Sequence, residues 1–407
     1  MKKTITFNPF DKPLYMMAKP AGASCNLCCD YCYYLEKKHL YEKSRVHRMS
    51  DELLERFIRE YIEAQPVSEV LFTWHGGETL LRDISFYKKV ITLQKRYGRG
   101  RIISNCLQTN GVLLNEEWCR FFRENNFLIG MSIDGPEHCH DKYRKKFDGS
   151  GSFKQVMRGV ELLHRHNVDF NTLSVINNYN VDYAIETYRF LKSIGSKYLQ
   201  FSPIVERIIL KDSLKLQLPD SENGDISPWS VDPIKFGDFY IEIFDEWVKN
   251  DVGNIFVQLF DATLACWVGV QPGVCIFSET CGHAGIIEFN GDVYSCDHFV
   301  FPKHKLGNIY TTPLLSMMLS EEQTNFGENK QNALPLQCKQ CEYLKLCNGE
   351  CPKNRIATTD TGEKGLNYLC KGYKKYFKYV SPYMEFMANE LVYQRPPANV
   401  MQWVKNR

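Results

Sequence analysis

Eight cysteines lie between Cys275 and Cys370, and four more crowd the short segment SCNLCCDYC near the start of the chain. Thiols packed at that density limit what the polypeptide can fold into, because they must either pair or bind metal. The opening MKKTITFNPFDKPLYMMAKP is interrupted by Asn8, Asp11, Lys12 and Pro13 and has no apolar run of signal-peptide length. No later stretch offers the roughly 18 apolar residues of a membrane span. The chain is therefore expected to be cytoplasmic, where clustered cysteines serve as metal ligands or catalytic groups more often than as disulfides. Cys106, Cys119, Cys139 and Cys266 have no cysteine nearby and read as buried small hydrophobes.

The rest of the sequence can build a large core: 407 residues, 44% hydrophobic, with 50 basic side chains against 48 acidic ones. That balance gives no field to attract nucleic acid or an anionic membrane, so neither is expected as a partner. Short apolar runs alternate with segments of helical period from residue 13 to 203. Strands are expected at Leu14 to Ala18, Glu69 to Trp74, Arg101 to Gln108, Phe127 to Ile133, Asp169 to Val175 and Tyr198 to Ser202. Helices fit between them, the first opened by Ser50 as N-cap with acidic residues in its first turn. Such repetition predicts an α/β fold with a parallel sheet, whose strand-end loops carry the chemistry. Residues 206–232 turn polar around PDSENGD and read as an inserted loop.

In SCNLCCDYCYY, Cys25, Cys29 and Cys32 form a C-x3-C-x2-C set directly after the first strand. Three thiolates on one loop can hold three irons of a four-iron cluster and leave the fourth open to a ligand. A zinc site completed by His39 or His47 competes with this reading, and Cys28 permits a second spacing, C-x2-C-x3-C. WHGGETL follows the second strand. Gly76 and Gly77 let backbone approach closely, and Glu78 can receive an ammonium group.

Taken together, these motifs resemble the radical S-adenosylmethionine superfamily. The resemblance implies a partial (β/α)6 barrel and a [4Fe-4S] cluster on Cys25, Cys29 and Cys32. The open iron of that cluster would chelate S-adenosylmethionine, whose cleavage gives a 5'-deoxyadenosyl radical. It also implies cofactor contacts from Tyr31, Tyr33, His75, Gly76, Gly77, Glu78, Ser132, Arg144 and Val205, and substrate contacts from Tyr34, Gln108, Thr109 and Asn110. Two departures stand out: the family usually has proline where this chain has Thr79, and several members have glutamine at the position of His75.

The C-terminal array reads C-x9-G-x4-C from Cys281 through Gly291 to Cys296, preceded by Cys275. It continues as C-x2-C-x5-C-x3-C over Cys338, Cys341, Cys347 and Cys351, and ends at Cys370. Eight thiolates make two sites of four, and spacing alone leaves zinc and iron both open. The array resembles the SPASM domain of radical enzymes that act on peptides. By that match Cys275, Cys281, Cys296 and Cys351 hold one auxiliary [4Fe-4S] cluster, and Cys338, Cys341, Cys347 and Cys370 the other. Three clusters per chain follow.

Within NGDVYSCDHF, Asp297 follows a cluster ligand. Oxidising a cysteine or serine side chain to an aldehyde removes a hydrogen atom, a proton and an electron, and a carboxylate beside a cluster suits the proton. Anaerobic sulfatase-maturating enzymes carry an aspartate there as base, so the resemblance implies that role for Asp297, with His298 structural. It further implies conversion of the cysteine or serine in a C/S-x-P/A-x-R motif of an unfolded sulfatase to Cα-formylglycine, with electrons from flavodoxin or ferredoxin. The alternatives are a peptide-crosslinking radical enzyme and a zinc-stabilised binding module without catalysis. The expected organisation is a radical SAM barrel over 1–232, a helical linker over 233–270, the SPASM domain over 271–380, and a C-terminal helix and tail over 381–407.

Overall fold

The computed structural model describes residues 13–41, 47–209, 215–216, 224–282 and 284–406. Six parallel strands appear close to where the alternation puts them: Tyr15–Ala18 (β1), Glu69–Trp74 (β2), Ile102–Thr109 (β3), Phe127–Ser132 (β4), Phe170–Ile176 (β5) and Tyr198–Pro203 (β6). The helices between them cover the outer face. Ser50 caps Asp51–Glu63 as expected, its hydroxyl accepting from the Leu53 amide at 3.1 Å.

Two pairings lie beyond the six expected strands. Phe256–Val257 (β7) adds to β6, and Ala284–Ile287 (β8) adds to β1, both in parallel. Asp292–Tyr294 (β9) and Lys305–Asn308 (β10) extend β8 in antiparallel fashion, giving one ten-stranded sheet ordered β7-β6-β5-β4-β3-β2-β1-β8-β9-β10. The cysteine-rich region therefore begins inside the barrel sheet and does not form a separate body after a linker. Register reaches further than local pattern here, because β8 contributes only AGII, too short to read as a strand.

The 233–270 stretch is helical over Pro233–Asn250 and Gln258–Trp267. Helix Pro233–Asn250 packs along helix Cys370–Val392, which runs unbroken through residue 381. Glycines set the crossing: a Cβ on Gly372 would stand 2.1 Å from the Pro233 carbonyl oxygen, and one on Gly237 would stand 2.7 Å from that of Gly372. Around this contact Phe236 meets Tyr240 and Tyr373 with ring centroids 5.2 and 4.9 Å apart. The 206–232 insert is a small antiparallel sheet at its base, where Arg207–Ile209 pairs with Lys215–Leu216 and Asp225–Ile226. Residues 210–214 and 217–223 of the insert, and 1–12 of the opening segment, lie outside the described residues.

Candidate functional site

All the expected strand-end loops meet at one end of the sheet. The loop after β1 carries the first cysteines and is clipped down where the Cys28 amide donates to Lys145 O (2.8 Å) and the Asp30 amide to Tyr143 O (3.1 Å). Cys25, Cys29 and Cys32 share one apolar pocket with Leu27, Tyr31, Ile204, Ile208 and Trp229, a pocket that does not include Cys28. Burial, reinforced by neighbouring acidic groups, pushes the Cys25 thiol up to about 12. Burial also raises Cys29, whose thiol feels both Cys32 and Cys25. Thiolates so disfavoured become tenable when metal is bonded to the sulfurs, and an all-sulfur set suits an iron-sulfur cluster. His47 is turned away from the loop, stacking on Phe289 at 4.7 Å, and the His39 side chain lies outside the described residues. Among the described residues no three Cys, His, Asp or Glu side chains converge on a point fit for a single ion. A zinc site with ligands at about 2.3 Å would need that convergence.

The GGE loop abuts this one. Gly76 has φ +130°, and a Cβ on Gly77 would sit 2.1 Å from the Ser24 carbonyl oxygen. The two glycines thus let the second loop reach the backbone of the first, with the Glu78 amide donating to Ser24 O at 2.7 Å. The Glu78 carboxylate is buried and already engaged: it accepts from the Leu80 amide (2.9 Å), the Thr109 hydroxyl (2.8 Å) and the Asn110 amide (2.8 Å). Its observed work is to bind the β2 and β3 loops together. Any cofactor ammonium would share it with those donors. Asn110 in turn donates to Asn26 Oδ1 at 2.8 Å and toward Cys25 Sγ at 3.7 Å, and Gln108 donates to Ser132 Oγ at 2.8 Å.

Arg144, expected at the cofactor's carboxylate, is paired within the protein. Its Nε lies 3.0 Å from Asp134 Oδ2 and its Nη2 donates to Oδ1 at 3.1 Å. Burial opposes the guanidinium charge, yet Asp134 more than restores it. The Tyr31 hydroxyl donates to the same aspartate. Arg144 keeps further N–H groups for a ligand, since a guanidinium carries five. Val205 is buried and its carbonyl accepts from Lys353 Nζ at 2.6 Å, so it ties the barrel to the cysteine-rich region.

Asp297 sits where the two regions join. Its Oδ1 lies 2.6 Å from Lys19 Nζ and 4.0 Å from Lys37 Nζ, while its Oδ2 accepts from the hydroxyls of Tyr33 and Tyr34, each at 2.5 Å. The Tyr33 ring also lies 4.5 Å beneath Lys37 Nζ. Tyr34 also lies 3.1 Å from His75 Nδ1, and that nitrogen accepts from the Gly76 amide, which places the ring proton on Nε2. Burial lowers His75 to about 4 and keeps it neutral. Burial would raise Asp297, but the ammonium groups of Lys19 and Lys37 hold it well below the usual carboxylate range. The carboxylate is therefore ionised. His298 brings its ring to 5.6 Å from Tyr33.

The eight C-terminal cysteines fall into two sets by proximity of charge. Cys296 feels Cys275 and Cys281, and Cys351 feels Cys296 and Cys275. Cys347 feels Cys370 and Cys338, while Cys370 feels Cys338 and Cys341. The second set lines a pocket of about 380 Å³, counting its open mouth, with Tyr343, Leu344, Tyr373 and Phe377. Burial pushes Cys296 and Cys347 each up to about 12, so these sites too call for metal on sulfur.

Sequence reasoning missed Lys19, Lys37 and Glu288. A signal existed for the first of them, a lone lysine closing the apolar MMAKPAGA at a strand end. Nothing local pointed to Glu288.

Comparison with known proteins agrees with this geometry. Residues 20–191 match the Radical SAM superfamily and residues 279–342 an iron-sulfur cluster-binding domain, SPASM. A serine-type anaerobic sulfatase-maturating enzyme of Bacteroides thetaiotaomicron is 58% identical over 99% of this chain and 98% of its own. A cysteine-type counterpart from Clostridium novyi is 31% identical over 94% of this chain and 100% of its own. A solved structure of native anSMEcpe with bound AdoMet and Cp18Cys peptide superposes with a TM-score of 0.81 at 30% identity, covering 93% of this chain and 100% of that one.

Proposed function

We propose, for a chain that belongs to the anaerobic sulfatase-maturating enzymes of the radical S-adenosylmethionine superfamily, that the residue it oxidises is a serine, held in an extended segment of unfolded sulfatase. The protein is a radical SAM enzyme with iron-sulfur clusters and a SPASM domain, which sets aside the zinc module, and its 58% identity over 99% of the chain to a serine-type anaerobic sulfatase-maturating enzyme sets aside the crosslinking alternative. Greater identity to the serine-type than to the cysteine-type relative, 58% against 31%, supports serine as the target.

In this reading three [4Fe-4S] clusters are held by the three cysteine sets. Tyr31, Tyr33, His75, Gly76, Gly77, Glu78, Ser132, Arg144 and Val205 border the cofactor. Tyr34, Gln108, Thr109 and Asn110 border the peptide. The bound cofactors supply a carbon-centred oxidant strong enough to take a hydrogen atom from Cβ, together with an electron acceptor. The protein's own part is positioning and proton transfer. Asp297 Oδ2, ionised and already hydrogen-bonded by two tyrosine hydroxyls, receives the proton of the substrate hydroxyl. The buried setting of Lys19, Lys37 and Tyr34 keeps water from competing for that oxygen. A flavodoxin- or ferredoxin-type protein delivers the reducing electron. Among the described residues no helix is long and apolar enough to cross a membrane.

One observation carries the reading: an ionised carboxylate at the junction of the two regions, one residue from a cluster cysteine and joined to both by direct contacts. Anaerobic incubation with paired peptides, identical except for serine or cysteine in the sulfatase motif, tests it. The serine peptide is expected to yield the aldehyde at the higher kcat/KM. Faster conversion of the cysteine peptide overturns the serine assignment.

A further inference from the structure

Lys19 is fully buried at the end of β1, and its Nζ bridges two carboxylates: Glu288 Oε1 at 3.0 Å and Asp297 Oδ1 at 2.6 Å. The register of the sheet creates this arrangement. Ala18 pairs with Ile287 across β1 and β8, and the Lys19 amide donates to Ile287 O at 2.9 Å, so Lys19 and Glu288 emerge side by side. Below them the ammonium lies 4.5 Å from the Tyr34 ring centroid. The lysine is thus held by a carboxylate, a strand end and an aromatic face.

A buried ion pair is a weak source of stability, often matched by apolar side chains of similar volume. A fold that needed only packing at this point would gain little from one lysine and two carboxylates. The geometry gives them another purpose. With Oδ1 2.6 Å from Lys19 Nζ, Oδ2 is the oxygen presented toward Tyr33 and Tyr34.

We infer that Lys19, anchored by Glu288, is a positioning residue that orients Asp297 so that Oδ2 meets the substrate hydroxyl at the moment of oxidation. The inference rests on Asp297 as the base. In the reaction the CH2–OH group loses a hydrogen atom from Cβ to the cofactor-derived oxidant, the hydroxyl proton to Oδ2, and one electron to an auxiliary cluster, leaving CHO. Lys19 makes and breaks no bond. A misaligned carboxylate leaves hydrogen-atom removal intact but lets the substrate radical decay or be re-reduced before its proton departs.

The experiment measures 5'-deoxyadenosine and aldehyde together, with peptide affinity and iron content, for Lys19→Met, Lys19→Arg and the double variant Lys19→Met/Glu288→Gln. The double variant avoids stranding Glu288 as an unpaired buried charge. Aldehyde formation is expected to fall roughly 10²-fold, the lower range for a lost general base. Peptide affinity and iron content should stay near wild type, and the deoxyadenosine-to-aldehyde ratio should rise well above one. Lys19→Arg should bring that ratio back toward wild type. If deoxyadenosine and aldehyde fall in the same proportion in both methionine variants, or if neither falls, Lys19 has no positioning role. Asp297→Asn separates the two claims. If it keeps full aldehyde yield, the base assignment itself fails; if it is uncoupled while the Lys19 variants are not, the inference fails alone.

Discussion

The two cysteine regions hold metal by opposite strategies. Cys25, Cys29 and Cys32 sit within one turn-rich loop and need only local chain to meet, but that loop is seated by other segments: the Lys145 and Tyr143 carbonyls and the glycines of the GGE loop. The C-terminal sets interleave instead. Cys351 falls between Cys347 and Cys370 in sequence yet joins Cys275, Cys281 and Cys296 in space. A local triplet leaves a coordination position for a ligand. In the proposed assignment, an interleaved pair of complete sets would tie a region with little core to itself and leave no such position.

That contrast predicts graded outcomes. The largest belongs to Cys29→Ala: release of 5'-deoxyadenosine from S-adenosylmethionine should be abolished, while iron falls by about one cluster of three, as read by chromatography and metal analysis. Cys351→Ala should damage more than its own site, because the residue stitches one set to the segment carrying the other. Iron should fall by more than one cluster and the melting temperature should drop sharply, whereas loss confined to one cluster would break the comparison. Gly77→Ala forces a Cβ to within 2.1 Å of the Ser24 carbonyl oxygen. Overpacking of this kind costs about 1–3 kcal/mol, and here it should appear in calorimetry as weakened binding of S-adenosylmethionine with the C-terminal clusters intact. Smallest of all is Cys28→Ala, whose iron content and turnover should match wild type. A lost cluster there would mean the alternative spacing is the true one.

Legibility from sequence follows the same division. Residues whose chemistry demands fixed spacing stood out unaided: the three first-loop cysteines, the eight later ones, and the glycines of WHGGETL. The six barrel strands were readable because alternation with helices repeats. What stayed hidden depends on long-range register. Glu288 meets Lys19 only because β8 docks beside β1, and four residues of AGII give no local sign of that. Helix Cys370–Val392 crosses the expected boundary at 380/381, with Pro382 inside it, as it packs on Pro233–Asn250.

The docking of β8 on β1 has a practical corollary for anyone dissecting the molecule. Cutting the chain before residue 284 would strip β1 of a neighbour and bare a row of unpaired amides and carbonyls, the kind of edge that recruits other chains. A barrel expressed alone should therefore precipitate or self-associate however well its own cluster is assembled.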